Sequence, residues 1–333
     1  MRSYKVTVIG AGAIGGLFAG WLGALDNPQI KLSVIARGQT LNALRTHGLR
    51  LIEEHANHTV MVNATDDSSS LGFQDLVILS VKSPALEQVV SHIQTLMGPN
   101  TLLLVAMNGV PWWFFDGFGG QYAGLTLRAV DPKGELAKKI PTSQVVGAVL
   151  HASASTDAPG VIRHIAGNNL IIGMPSPDRV DQLTALGDLL QSSGWNITLS
   201  ERIQKNIWYK LWGNMTMNPV SAITGVTCDL ILDDPLVRAF CSSVMLEAKA
   251  IGNQIGCSIE QEPEERHDVT RRLGAFKTSM LQDVEGTRPL EIDALVGVVS
   301  EIGHHVGIAT PNIDALLGLV RLMAKGRGLY SNK

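Results

Sequence analysis

Polar side chains recur at every fourth residue of one predicted helix, at Asn206, Lys210, Asn214 and Asn218. Because four residues advance about 400° around an α-helix, these side chains form one slowly drifting stripe. The residues between them are mostly apolar and aromatic, and an ammonium and carboxamides are costly to bury among such residues without partners. The stripe therefore predicts a site for a small polar ligand.

Lys210 is the member of this stripe that could do chemistry. Reduction of a carbonyl by hydride places negative charge on its oxygen, which a positioned acid relieves. The aromatic neighbours of Lys210 would lower its pKa by desolvation and make it a proton donor near neutral pH. Asn214 and Asn218 offer donors and acceptors for a carboxylate and a hydroxyl. The alternative is an ion pair of Lys210 with Glu201, Glu291 or another acid, and amides that cap neighbouring helices.

A glycine-rich loop near the N-terminus predicts a second site, for a dinucleotide. It reads G-x-G-x-x-G and lies between a predicted strand and a predicted helix. In this setting Gly10 permits the tight turn, Gly12 lets the backbone approach a pyrophosphate and Gly15 lets helix and strand pack closely. The predicted cofactor-binding residues of the loop are Gly10, Ala11, Gly12, Ala13, Ile14 and Gly15. The alternative is a glycine-rich turn without a ligand.

The end of the second predicted strand indicates which dinucleotide binds. An NAD site places Asp or Glu about 20 residues past the loop, on the ribose 2′-hydroxyl. Here the chain reads Ile35-Ala36-Arg37-Gly38, without a carboxylate, and Arg37 supplies a fork of donors suited to a 2′-phosphate. NADP(H) is therefore the predicted cofactor. The alternative for Arg37 is a solvated surface side chain.

Two further polar residues follow predicted strands directly. Lys82 follows residues 76–81, and Asn108, with Gly109 after it, follows residues 101–107. Ligands of open α/β sheets bind at the carboxyl ends of the strands. Lys82 is therefore a candidate cofactor contact, and Asn108 could face both nicotinamide and substrate. Either could instead be an ordinary loop residue.

The chain divides into two predicted domains. Up to about residue 200, β-branched runs alternate with helical patterns, which predicts an α/β fold with a doubly wound parallel sheet of Rossmann type. Within it, 161–165 and 170–172 are predicted to form a hairpin. Beyond it the strand pattern stops, and an all-α domain is predicted. Its predicted helices are 201–217, 235–255, 264–284, 291–306 and 312–324. We therefore place an NADP-binding domain at 1–200 and a helical substrate and catalytic domain at 201–333.

Composition and charge limit the partners. The 333 residues carry a formal charge of −3 with no long basic or acidic block, which argues against nucleic acid and membrane binding. The N-terminus has no signal-peptide pattern, and three widely spaced cysteines without a C-x-x-C pair fit a reducing compartment. We expect a cytoplasmic protein. His304 and His305, with Glu301, lack metal-ligand spacing, so no metal site is predicted.

Taken together in chain order, the motifs of this sequence resemble those of the ketopantoate reductase (2-dehydropantoate 2-reductase) family over nearly the whole chain. The resemblance rests on the glycine loop, Val81-Lys82, Asn108-Gly109, the Trp208–Pro219 helix, the run Thr278–Asp283 and Glu291-Ile292-Asp293. It implies an oxidoreductase that acts on CH–OH groups and reduces the 2-keto group of ketopantoate with NADPH, on the pathway to pantothenate. A homodimer through the helical domain is expected from the resemblance alone.

The resemblance also implies roles for individual residues. Lys210 looks like the proton donor of the family. The residues that look like its substrate contacts are Asn108, Asn214, Asn218 and Ser279. The residues that resemble its further cofactor contacts are Lys82, Asn108 and Glu291.

Two features depart from the family pattern. The loop Thr227-Cys228-Asp229 stands where a substrate contact containing Asn is expected. The aromatic cluster Trp112–Phe115 opens a long segment, up to Thr142, that could be a lid, a pocket wall or an oligomer contact. A reductase of another 2-keto acid or related carbonyl compound therefore stays open. Two other classes compete: a β-hydroxyacid or 6-phosphogluconate-type dehydrogenase, whose lysine motif is not matched, and a non-catalytic NADP-binding regulator.

Overall fold

The chain folds into two compact units. The computed structural model describes residues 3–175 and 179–330. The first unit consists of the residues up to Met107, Phe115–Gly124 and Glu135–Ile203, and the second of Asn108–Phe114, Leu125–Gly134 and the residues from Gln204 onward. The domain boundary at residue 200 stays a prediction.

The first unit is built on a mixed β-sheet. Its described strands are β1 (Tyr4–Ile9), β2 (Ile30–Ile35), β3 (Leu49–Ile52), β4 (Asn57–Val60), β5 (Asn63–Thr65), β6 (Gln74–Leu79), β7 (Met97–Val105), β8 (Val145–Ala158), β9 (Val161–Gly173) and β10 (Asn196–Leu199). They lie in the order β4-β3-β9-β8-β7-β6-β1-β2-β5, and β10 pairs with the second half of β9. The pairs from β8 to β5 are parallel, whereas β8–β9 and β3–β4 are antiparallel.

The sheet has its topological switch point beside β1, where consecutive strands are added on opposite sides. The chain passes from β1 through a helix to β2 on one side, and β6 lies on the other side, also parallel to β1. In open α/β sheets, ligands bind at the carboxyl ends of the strands at such a switch point. The loop that follows Ile9 therefore stands in the position of a ligand site, and the sheet has the predicted Rossmann-type topology.

Helices connect the strands of the first unit. They are α1 (Ala13–Ala24), α2 (Gly38–His47), α3 (Leu86–Leu96), α4 (Glu135–Lys139) and α5 (Val180–Ser193). α1 is apolar on every side and packs very close to the sheet, since a Cβ on Gly16 would overlap the side chain of Ile162. Its Phe18 lies against Trp195, with 4.5 Å between the ring centroids. This packing holds the start of α1, and with it the preceding loop, against the end of β1.

The second unit is helical. Its described helices are α6 (Ile203–Thr224), α7 (Cys228–Asp233), α8 (Pro235–Gln254), α9 (Pro263–Arg271), α10 (Ser279–Glu285), α11 (Val298–Val306) and α12 (Pro311–Gly326). A π-helical turn, Asp293–Gly297, leads directly into α11. The predicted order of an α/β part followed by an all-α part is confirmed. No helix within 3–175 and 179–330 is long and apolar enough to cross a membrane.

The predicted hairpin in the first unit is wrong. Residues 161–165 and 170–172 belong to one strand, β9, which pairs antiparallel with β8. Gly167, between them, has φ +72 and lies against the carbonyl of His151, where the pairing shifts register. The glycine therefore marks a bulge in a long strand and not the turn of a hairpin.

The helical unit also differs from prediction in two places. The predicted helix 264–284 is two helices, α9 and α10, because Thr278 starts a new helix by accepting a hydrogen bond from the Leu281 N–H at 3.1 Å. Pro219, predicted to lie beyond the end of the first helix, lies inside α6, which continues to Thr224. A proline or a capping residue in the sequence is thus not enough by itself to place the end of a helix.

Candidate functional site

The glycine loop is held at the switch point by contacts that require glycine. Gly10 has φ +99, and a Cβ there would lie 2.9 Å from Val81 Cγ1. Its carbonyl accepts a hydrogen bond from the Ser80 hydroxyl at 2.9 Å. A Cβ on Gly15 would overlap the same carbonyl and hydroxyl. Sequence reasoning missed Ser80, whose one signal is its place at the end of a strand beside β1.

Gly12 differs from the other glycines because the fold does not require it. Its backbone is extended, with φ −78 and ψ −168, and apart from its two chain neighbours none of the described residues places an atom within 4 Å of an added Cβ. Gly12 precedes α1, whose N-terminus has no side-chain cap. Open space beside helix N–H groups that carry partial positive charge fits a pyrophosphate. The loop therefore fits the predicted dinucleotide.

The other predicted cofactor residues of the first unit stand at the same edge of the sheet. Arg37 follows β2 and is exposed, and its guanidinium donates to the Gln88 side chain at 3.2 Å. Lys82 follows β6, is half-buried, and begins a 3-10 turn, Ser83–Ala85. Because β1, β2 and β6 are parallel neighbours, Arg37 and Lys82 lie at the edge that carries the glycine loop.

Lys210, in the middle of the polar stripe on α6, meets Asn108. Its ammonium donates a hydrogen bond to Asn108 Oδ1 at 3.0 Å. Trp208 and Trp212 lie about 200° away around the helix and are buried. The Trp212 N–H donates to the Met245 carbonyl at 2.7 Å. The two indoles therefore anchor α6 in the helical core, and the polar stripe lies on the opposite side of the helix.

The environment of Lys210 makes it more acidic than an ordinary lysine. Burial lowers its pKa from 10.5 to about 8, and the carboxylate of Glu291 opposes this shift by raising the pKa. A desolvated ammonium has lost hydration, so the neutral amine forms more easily. Near neutral pH Lys210 is then mostly protonated but gives up its proton readily. These are the properties of a general acid.

The loop that carries Asn108 is docked on the π-helical turn. The Val110 N–H donates to the Ala294 carbonyl at 3.0 Å. Beside it, Gly109 has φ +84, and a Cβ there would overlap the same carbonyl. The sequence predicts Asn108 from its place after a strand, but the contact with Ala294 has no signal in the sequence. π-helical turns are frequent at functional sites.

Asn214 and Asn218 continue the stripe along α6. Asn214 is half-buried and Asn218 is 5% exposed, and neither carboxamide has a hydrogen-bond partner within the described residues. These unpaired carboxamides offer both donors and acceptors to a polar ligand at this helix face. Ser279 is the exposed first residue of α10. Its neighbour Thr278 lies 3.0 Å from the Ser221 hydroxyl of α6, which brings Ser279 close to the same helix.

The two departures from the family pattern are both buried. Cys228 is 1% exposed, and burial together with the Asp229 carboxylate raises the pKa of its thiol to about 11, which keeps it neutral. The side chains of Trp112–Phe115 are also buried. The rings of Phe114 and Trp208 pack together, with 6.1 Å between their centroids. The cluster is packed core and not an exposed lid. In the part of the chain that the structure describes, no three His, Cys, Asp or Glu side chains form a group that could hold a metal ion.

Known proteins match nearly the whole chain. Residues 6–177 match the family model described as ketopantoate reductase PanE/ApbA, and residues 202–324 match the model of its C-terminal part. A 2-dehydropantoate 2-reductase from Mesorhizobium japonicum is 42% identical over 98% of this chain and 100% of its own length. The crystal structure of a candidate ketopantoate reductase from Ralstonia solanacearum MolK2 is 56% identical, covers 98% of this chain and 99% of that chain, and has a TM-score of 0.94. A D-mandelate dehydrogenase solved with NADH and anilino(oxo)acetate shares the fold at 21% identity, with a TM-score of 0.82 over 98% of this chain and 100% of that one.

The fold and these relatives define an oxidoreductase that acts on CH–OH groups with a nicotinamide dinucleotide. The chain belongs to the ketopantoate reductase family, whose cofactor is NADP(H). Membership in this family sets aside the β-hydroxyacid and 6-phosphogluconate-type alternative. The uncapped start of α1 and the room at Gly12 are the features of this chain that suit the cofactor.

Replacing Gly12 with alanine should separate cofactor binding from folding. The added methyl group meets no atom of the described residues beyond its two chain neighbours, so we expect a nearly unchanged midpoint of thermal unfolding. It fills the space beside the helix N-terminus, so we expect roughly tenfold weaker NADPH binding, or weaker still. Fluorescence titration with NADPH and thermal melts measure both quantities.

Gly15→Ala is the matched control for this experiment. Its methyl group overlaps Gly10 and Ser80, so we expect a clear loss of stability. A Gly12→Ala variant that binds NADPH as tightly as the wild type would show that the pyrophosphate does not approach this loop.

Proposed function

We propose that the protein reduces 2-dehydropantoate to pantoate with NADPH, for pantothenate biosynthesis, and that Lys210 donates the proton. The observation that carries the proposal is the 3.0 Å hydrogen bond from the Lys210 ammonium to Asn108, on a helix face that continues with two unpaired carboxamides. Burial gives this lysine the depressed pKa expected of a general acid. The name of the 42% identical relative supports the same reaction.

The reaction needs a hydride, a proton and a fixed substrate. NADPH, held at the glycine loop, would supply the hydride for the 2-keto carbon, which leaves the carbonyl electron pair on oxygen. The Lys210 ammonium gives a proton to that oxygen, which yields the 2-hydroxy acid and a neutral amine that solvent reprotonates. Asn214 and Asn218 bind the carboxylate and hydroxyl of the substrate, and Ser279 adds a hydroxyl contact.

Asn108 and Glu291 prepare Lys210 for this step. The Asn108 oxygen accepts the ammonium hydrogen bond and so fixes the direction of the side chain. The Glu291 carboxylate raises the pKa of Lys210 against the effect of burial, which keeps the donor protonated before the reaction. By family resemblance, Asn108, Glu291 and Lys82 also contact the cofactor.

Turnover of a panel of keto acids tests the reaction. The purified protein should oxidise NADPH fastest with ketopantoate, compared with pyruvate, branched 2-keto acids and phenylglyoxylate. The last substrate represents a reductase of another 2-keto acid, because the D-mandelate dehydrogenase of this fold was solved with anilino(oxo)acetate. A higher kcat/KM with another keto acid would reassign the substrate. NADPH binding without turnover of any keto acid would favour the non-catalytic regulator.

Lys210→Ala should lower kcat by a factor of roughly 10²–10⁴, as expected for loss of a general acid. In the wild type, kcat for reduction should fall as the pH rises through about 8, because Lys210 then loses the proton it donates. This alkaline decline should be absent from the variant. Lys205→Ala removes an exposed lysine of the same helix and should keep the wild-type kcat and pH profile. An unchanged kcat in Lys210→Ala would remove Lys210 from the mechanism.

Arg37→Met should raise the KM for NADPH by roughly tenfold or more, and the KM for NADH far less, because the two cofactors differ only in the 2′-phosphate. The guanidinium is exposed and contacts Gln88 at 3.2 Å, so the substitution should leave stability almost unchanged. Steady-state kinetics with each cofactor measure the difference. Equal increases for both cofactors would contradict a 2′-phosphate role.

We also infer a homodimer that forms through the helical unit. α8 and α12 pack against each other, and both helices carry leucines that are 49% to 81% exposed. They are Leu236 and Leu246 on α8 and Leu319 and Leu322 on α12. Exposed apolar side chains on two neighbouring helices are candidates for a protein–protein contact. Analytical ultracentrifugation should show a dimer that Leu322→Glu dissociates, and a monomeric wild type would contradict it.

We place the enzyme in the cytoplasm. Cys228, Cys241 and Cys257 are buried free thiols, which suits a reducing compartment. Activity should be found in the cytosolic fraction of cells, and activity in the medium would contradict this location.

A further inference from the structure

The end of the described chain is fastened to the segment before α11. The Tyr330 hydroxyl lies 2.9 and 3.0 Å from the two carboxylate oxygens of Asp293, the first residue of the π-helical turn. Arg321 of α12 donates to the same carboxylate at 2.9 Å. Its guanidinium also lies 5.9 Å from the centre of the Tyr330 ring. We call Asp293, Arg321 and Tyr330 the tail clamp.

Backbone hydrogen bonds also join this region to Leu329, which follows α12. The Leu290 N–H donates to the Leu329 carbonyl at 3.1 Å, and the Leu329 N–H donates to the Ala324 carbonyl at 2.8 Å. Leu290 and Leu329 are both buried. Leu329 and Tyr330 are therefore paired with residues 290–293 through backbone and side chains together.

This segment carries two groups that the proposed mechanism uses. The negative charge of the Glu291 carboxylate raises the pKa of Lys210. The Ala294 carbonyl accepts the Val110 N–H, which holds the loop of Asn108. A shift of the segment would therefore move the charge beside the ammonium and loosen the support of its hydrogen-bond partner.

We propose that the tail clamp positions the proton donor Lys210 through segment 290–294, which makes Tyr330 a positioning residue of the reaction. The inference rests on the proposed role of Lys210. Tyr330 acts only through Asp293 and Arg321. Its hydroxyl and the guanidinium hold the first residue of a π-helical turn, a rare conformation that is common at functional sites.

The close approach of α12 to the turn supports this assignment. A Cβ on Gly297, the last residue of the turn, would lie 3.2 Å from the Arg321 guanidinium and 3.3 Å from the Asp293 carboxylate. The glycine therefore leaves room for the ion pair directly against the turn. Of the two charges in the tail clamp, Asp293 lies on the segment and Arg321 on α12, so loss of their ion pair acts on the position of the segment relative to α12.

Tyr330→Phe tests the inference, since it removes one hydroxyl and keeps the ring. We expect kcat to fall roughly three- to tenfold, as for partial loss of hydrogen bonds to a charged group, with little change in the midpoint of thermal unfolding. The alkaline decline of kcat should move to lower pH, because Glu291 then raises the pKa of Lys210 less. Asp293→Asn weakens the whole clamp and should produce the same changes, more strongly.

Asp233→Asn is the matched control. Asp233 pairs with Arg271 at 2.8 Å elsewhere in the helical unit, so this variant should keep the wild-type kcat and pH profile. If Tyr330→Phe keeps both properties while Lys210→Ala loses its activity, the clamp is only structural and the inference is wrong. Tyr330→Phe decides alone if Asp293→Asn fails to fold. If Lys210→Ala keeps its kcat, the proposed donor role is wrong and the inference falls with it.

Discussion

The candidate site of the helical unit depends on how the desolvated ammonium of Lys210 is stabilised. An ammonium taken out of water loses hydration that few contacts replace, and here Asn108 Oδ1 accepts its hydrogen bond at 3.0 Å. Burial lowers the pKa of Lys210 while the Glu291 carboxylate raises it. The balance leaves a lysine that is charged near neutral pH and still acidic enough to donate. The Val110–Ala294 hydrogen bond holds the loop that carries Asn108. The tail clamp holds the segment that carries Glu291.

A related constraint governs the first unit, where a helix begins without a side chain to cap it. Gly10 and Gly15 meet needs of the fold itself, a positive φ and a close backbone approach. Gly12 meets neither need and leaves open space beside the start of α1. Unpaired N–H groups at a helix start attract anions. In the proposed reaction the first unit thus binds the dinucleotide and the second supplies the acid.

Local patterns in this chain predict helix faces and tight turns more accurately than element boundaries. The fourfold spacing on α6 and the glycine loop can be read because helix periodicity and tight turns depend on residues close together in the chain. Gly167 is compatible with a turn or a bulge, and pairing of β9 with the distant β8 selects the bulge. The helical pattern continues across 264–284, but the Thr278 cap divides it into two helices.

By itself the sequence determines that Lys210, Asn214 and Asn218 share one helix face and that a glycine loop precedes a helix, because both are matters of local geometry. Only the tertiary structure decides the partner of the lysine, since Asn108 lies 102 residues away in the chain. It also decides that Tyr330 meets Asp293, 37 residues away. Such contacts arise from the packing of remote segments, which brings together groups whose mutual distance no local pattern encodes.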